Sequence, residues 1–160
     1  MLGRVKSWMP SGTATPNQFG TTQLVVRNAS MLCLPSAKSP INALHPAPGP
    51  MPIPTVLDHF KCYAVQQVSP VVPHTVLLHD QFVGTQGTSY QAVQLCNPTE
   101  KVIVGQQPTK VLYPYAHLVC YTIQLPEKDH LVLIADQFER TTIQAKMAEL
   151  LCLPSFKKLL

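Results

Sequence analysis

Charge is scarce in this chain. Only 12% of its 160 residues are Asp, Glu, Lys or Arg, about half the usual share. The 12 basic residues are scattered, with no basic run beyond Lys157-Lys158, so the net charge of +4 makes no case for nucleic-acid binding. Glycine is sparse as well, with 7 residues, and no Gly-rich phosphate loop, GxSxG, CxxC or HExxH occurs. No apolar stretch approaches the roughly 20 residues needed to span a bilayer as a helix, so no membrane span is expected. The opening decapeptide, Met1 to Pro10, carries two basic residues but no apolar core behind them. It does not read as a signal peptide.

What is present is proline and hydrophobicity. Sixteen prolines, about twice the typical share, disfavour long helices and favour short strands joined by turns. A hydrophobic content of 46% is enough to bury a core.

The chain repeats itself. Three segments align without a gap: Asn17-Gln-Phe-Gly to Lys38, Asp80-Gln-Phe-Val to Lys101, and Asp136-Gln-Phe-Glu to Lys157. Gln18 precedes Cys33 by the same interval that separates Gln81 from Cys96 and Gln137 from Cys152. Gln, Phe, Thr, Ala, Leu, Cys, Pro and Lys are each identical at one position in all three, with Thr at 22, 85 and 141 and Ala at 29, 92 and 148. A second block occurs twice: His59-Phe-Lys-Cys62-Tyr63-Ala-Val-Gln66 matches His117-Leu-Val-Cys120-Tyr121-Thr-Ile-Gln124.

These blocks define the expected organisation. Residues 1–16 are a disordered or non-native start, and 17–38 are the rear half of a truncated repeat. A proline-rich linker, 39–56, favours an extended spacer. It leads to a full unit at 57–101, a second linker at 102–114 and a full unit at 115–160. The segment Thr141 to Leu151 is rich in helix formers. Its counterparts, Thr21–Arg27 and Thr88–Leu95, are β-branched or alternating. Equivalent positions in a repeat share a backbone, so the fold class is mainly β: tandem, small, disulfide-stapled units. A short helix near the C-terminus is the alternative at that one segment.

Five cysteines occupy repeat-equivalent positions. Pairing within each unit, Cys62–Cys96 and Cys120–Cys152, uses all four cysteines of the full units and leaves Cys33 as a free thiol. Each bond closes a loop worth roughly 3.5–4 kcal/mol in the chain-entropy model. A unit of this size has a marginal core, so such a staple can decide whether it folds. The rival pairing, Cys33–Cys62 and Cys96–Cys120, joins neighbouring units and frees Cys152. Disulfides imply an oxidising compartment. The half-unit and the missing leader together suggest a fragment of a longer exported protein.

His59-x-x-Cys62 and His117-x-x-Cys120 are the only metal half-sites to weigh. On a strand, residues i and i+3 point to opposite faces, so neither pair can chelate one ion. A reduced cysteine paired with a histidine could serve as a nucleophile, but a catalytic constellation is rarely duplicated with all its partners. Asp80 and Asp136 are replaced by Asn17 in the first copy, which excludes a role that needs a carboxylate and favours a turn or cap. Phe19, Phe82 and Phe138 are expected core anchors. No catalytic, cofactor-binding or metal residue is therefore assigned, and no cofactor is expected.

The blocks HFKCY, DQF and LCNPTEK, with HLVCY and LCLPSFK, resemble a family of uncharacterised repeat domains found in predicted exported bacterial proteins. The resemblance covers residues 17–38 and 57–157. It implies an extracellular or cell-envelope location and carries no assigned activity. The resulting expectation is a non-catalytic secreted or surface repeat protein, serving as a structural, spacer or binding module for an unknown ligand or protein partner. A thiol- or zinc-dependent enzyme is the alternative.

Overall fold

The computed structural model describes residues 12–41, 52–80, 82, 84–127 and 129–159. Eleven strands are found there: β1 (Thr13–Asn17), β2 (Gly20–Cys33), β3 (Ala37–Pro40), β4 (His59–Gln67), β5 (His74–His79), β6 (Gly84–Thr99), β7 (His117–Gln124), β8 (His130–Ala135), β9 (Arg140–Ala145), β10 (Leu150–Ser155) and β11 (Lys158–Leu159). Among the described residues there is no helix. The protein is mainly β, as its repeat logic requires. The segment weighed as a short C-terminal helix is strand β9, a four-residue break and strand β10.

Two strands are longer than the proline content leads one to expect. β2 runs for 14 residues and β6 for 16. Both are interrupted at the same place in the repeat. The register of β2 on β4 shifts on either side of Ala29, and that of β6 on β7 on either side of Ala92. The recurrent alanine thus marks a bulge, which bends a long strand and sharpens its twist. In the third copy the equivalent Ala148 lies in the break between β9 and β10. There the bulge has opened fully, and the two halves of the strand enter different sheets.

The main sheet has the order β10-β7-β6-β4-β2-β1-β11, with β5 added on β6. Its described ladders are antiparallel, and the copies follow one another across it in adjacent pairs of strands. β2 of the first copy pairs with β4 of the second, and β6 of the second pairs with β7 of the third. The units at 57–101 and 115–160 therefore share hydrogen bonds edge to edge. The two flanks of the sheet are also connected, because only two residues separate β10 from β11, which pairs with β1 through Thr13↔Leu159 and Ala14↔Lys158. Between them the Phe156 amide donates to the Pro16 carbonyl at 3.1 Å. The sheet thus curls into a closed, barrel-like surface.

Residues 1–11 of the segment expected to be disordered or non-native lie outside the described residues. Its last four residues, 13–16, belong instead to strand β1, which is held on one side by β2 and on the other by β11. Of the expected spacer at 39–56, residues 42–51 likewise lie outside the described residues. Its first residues belong to β3, which joins β8 and β9 in a second, three-stranded sheet. The Ile41 amide extends that ladder to the Leu131 carbonyl at 2.8 Å.

The principal core lies on one face of the main sheet. Leu24, Ala92, Leu95, Val119, Tyr121 and Leu153 are buried together, with Phe19, Val26, Val65 and Leu151 packed against them. The Tyr121 hydroxyl accepts a hydrogen bond from Asn17 Nδ2 at 2.8 Å and lies 3.1 Å from Thr22 Oγ1. This satisfies its polar end inside an apolar cluster. Buried Asp58 acts on the backbone instead. Its two carboxylate oxygens accept from the Leu112 and Tyr113 amides at 2.6 and 2.7 Å. It thereby pins the connection between β6 and β7.

Gly87 shows how closely strands approach. A Cβ at this buried position would collide with the Leu125 side chain and lie 2.8 Å from the Gln124 carbonyl oxygen. Gly87→Ala should therefore cost about 1–3 kcal/mol through overpacking, read as a lowered midpoint in urea denaturation with an unchanged slope.

Candidate functional site

Five adjacent strands of the main sheet each contribute one cysteine. In spatial order they are Cys33 on β2, Cys62 on β4, Cys96 on β6, Cys120 on β7 and Cys152 on β10. Side chains alternate faces along a strand, and Leu95, Val119, Tyr121 and Leu153 point into the principal core. Their neighbours Cys96, Cys120 and Cys152 therefore occupy the opposite face. Cys62, Cys96 and Cys120 form a second buried cluster there, with Cys33, Phe60, Leu118 and Leu150 packed against it.

The register decides which sulfurs bond. Cys62 lies directly opposite Cys96, and Cys120 directly opposite Cys152. Both pairs are disulfides, each with Cα atoms 3.9 Å apart. Cys33 is the free cysteine. It lies opposite Phe60, two residues from Cys62, and Cys96 lies opposite Leu118, two residues from Cys120. These diagonal neighbours are in contact without being bonded. The Sγ atoms of Cys33 and Cys62 are 3.7 Å apart, and those of Cys96 and Cys120 are 3.9 Å apart. The result is a row of five sulfurs with alternating contacts and bonds. Its interior is buried, Cys33 is half-buried at one end, and Cys152 is exposed at the other.

Burial raises the pKa of the Cys33 thiol above its ordinary value, which keeps it protonated at neutral pH and suppresses its nucleophilicity. The histidines ahead of Cys62 and Cys120 face lysines rather than further ligands. Partial burial and then the Lys101 ammonium lower the pKa of His59, against opposing effects of a hydrogen bond to Gln137 and the charge of Asp58. Burial and then Lys157 lower that of His117, whose Nδ1 lies 3.0 Å from Asn97 Oδ1. Among the described residues no group of three or more His, Cys, Asp or Glu is arranged to hold a metal ion.

The recurrent (Asn/Asp)-Gln-Phe block forms a turn. Asn17, Asp80 and Asp136 each accept, through Oδ1, the amide hydrogen of the Phe two residues on, at 2.8, 2.8 and 2.7 Å. Amide and carboxylate share that acceptor, so Asn and Asp interchange. The phenylalanines then reach into the next copy. Phe19 stacks on His74 with centroids 4.2 Å apart, and Phe82 stacks on His130 at 4.6 Å. Lysines do the same: Lys38 Nζ lies 5.0 Å from the Phe82 centroid and Lys101 Nζ 5.0 Å from that of Phe138. Phe138 is largely exposed, unlike the core anchor its position suggests.

His74 and His130 are absent from the sequence-derived candidates. Their signal is nevertheless present, since each stands six residues ahead of the Asp of its own copy. His130 also lines an open groove of about 370 Å³ with Phe82, Thr85 and Met147. Its Nε2 is buried without a hydrogen-bond partner among the described residues.

Alkylation of Cys33 by iodoacetamide should be slow at neutral pH, and its rate should level off at a higher pH than that of an exposed cysteine thiol. Thermal stability should fall as pH drops below about 6.5, the ordinary histidine value. The reason is that His59 and His117 accept a proton more readily in the unfolded chain, so their contribution is present above that pH and lost below it. His59→Asn with His117→Asn should flatten the decline.

A family model described as a repeat of unknown function (DUF7450) matches residues 13–154. No curated protein and no solved structure matches the chain.

Proposed function

As the chain belongs to the family described as a repeat of unknown function (DUF7450), we propose that it is a non-catalytic structural or binding module, exported to an oxidising compartment. The carrying observation is where the recurrent residues go. Asn17, Asp80 and Asp136 close turns, and Phe19 and Phe82 stack on the following copy. Lys38 and Lys101 cover the next copy's Phe, and four of five cysteines staple strands. Residues retained in every copy for such contacts build a scaffold, whereas a catalytic centre would need a constellation at one place.

The staples also support the location. Disulfides persist outside the reducing cytosol, and among the described residues no helix is long and apolar enough to cross a membrane. An extracellular or cell-envelope setting accounts for the first fact and is compatible with the second. Copies that share strands in one sheet act as a firm platform more readily than as beads on a flexible spacer.

The test is a thiol count on protein isolated from its native host under acid quench. One titratable thiol per denatured chain is expected. Five would overturn the reading in favour of a cytosolic thiol protein, and stoichiometric zinc in the same sample would favour the enzyme alternative.

A further inference from the structure

We propose that the five sulfurs form an intramolecular thiol–disulfide relay, in which the free thiol moves from Cys33 to Cys152 by two successive exchanges. The proposal rests on the stapled, oxidised reading of the protein and adds a chemical activity to it.

Each exchange conserves atoms and electrons. In the first, the Cys33 thiol gives its proton to solvent and its thiolate attacks Cys62 Sγ, 3.7 Å away. A Cys33–Cys62 bond forms as the Cys62–Cys96 bond breaks, and the electron pair leaves on Cys96. In the second, the Cys96 thiolate attacks Cys120 Sγ, 3.9 Å away. A Cys96–Cys120 bond forms as the Cys120–Cys152 bond breaks, and Cys152 leaves as the thiolate and takes a proton from solvent. Two disulfides and one thiol exist before and after, so neither oxidant nor reductant is consumed.

Three features of the sheet support this chemistry. The two non-bonded contacts are the same diagonal step, one repeat apart: Cys33 opposite Phe60, and Cys96 opposite Leu118. One geometry therefore serves both exchanges. Each attacking cysteine also stands shortly after a bulge, at Ala29 and at Ala92, where the ladder is already interrupted and the strand has slack to close on its diagonal neighbour. Finally, Cys62, Cys96 and Cys120 are buried, so the two sulfurs that are attacked, Cys62 and Cys120, meet their neighbouring cysteines far more often than any external thiol.

The outcome is a change of both connectivity and exposure. Staples within units become staples between units, and a half-buried thiol at Cys33 becomes an exposed one at Cys152. The exposed end is then open to a mixed disulfide with another thiol-bearing molecule, while the Cys33 end is locked.

The test follows the thiol directly. Wild-type protein carrying one thiol is held at pH 8.5 without added thiol, sampled over minutes to hours, quenched with acid and labelled with N-ethylmaleimide. It is then mapped without reduction, using chymotrypsin with trypsin, because Cys62 and Cys96 share the tryptic interval between Lys61 and Lys101. The label should shift from Cys33 to Cys152, in step with the appearance of linked Cys33–Cys62 and Cys96–Cys120 peptides. In the variant Cys120→Ser with Cys152→Ser it should stop at Cys96. A label confined to Cys33 at every time overturns the relay, as does a transfer rate that scales with protein concentration. One thiol that stays in place sinks the relay alone, whereas five thiols in host-isolated protein would sink the module reading with it.

Discussion

When Cys62 bonds to Cys96 across β4 and β6, and Cys120 to Cys152 across β7 and β10, neither strand pair can slip by a residue. A one-residue slip would turn every side chain on the strand to the wrong face, carrying Leu95, Val119 and Leu153 out of the principal core. The bonds therefore do more than shorten the unfolded chain. They hold the alternation that separates an apolar face from a sulfur-lined face, and the core and the sulfur row both depend on it. The two ladders that no disulfide crosses in the row of cysteine-bearing strands, β2 on β4 and β6 on β7, are the ones that carry bulges. Adjustment is thus concentrated where no covalent bond forbids it.

Successive copies are joined by more than the backbone. A phenylalanine presented by a tight turn stacks on a histidine of the next copy, and a lysine from the preceding copy covers the same phenylalanine type. Ring stacking contributes about 0.5–1.5 kcal/mol beyond area burial, and an exposed cation–π contact about 0.5–1 kcal/mol. Each is modest beside a disulfide, yet they recur from junction to junction with similar geometry. The array is consequently held by many small equivalent contacts between copies and by a few strong ones within them, a division typical of repeat architectures.

The β class, the three copies and the Asx turns are legible in the sequence because each is local. Gapless spacing reveals the copies, β-branched and alternating runs reveal strands, and the interchange of Asn17 with Asp80 and Asp136 reveals a shared acceptor oxygen. The bulges are half-legible: alanine recurs at 29, 92 and 148, but no periodicity says that the strand bends there. The helix-forming composition of 141–151 misleads for the same reason, since pairing with β7 and β8 overrides local preference. Which strands become neighbours is not written in any window. The pairing of β3 with β8, and of β1 with β11, joins segments more than ninety residues apart. Placing all five cysteines in one row follows only from that global order.

The pairing of Lys158–Leu159 with Thr13–Ala14 has a consequence for how the molecule comes into being. Loop closure over such a separation is entropically costly and slow, so the seam is among the last contacts to form as the chain folds. Until then β1 and β10 present open edges able to accept a strand from another chain. The period before the seam forms is therefore when this sheet is most exposed to exchanging strands with a neighbour, and the interval from first strand to last sets its aggregation hazard.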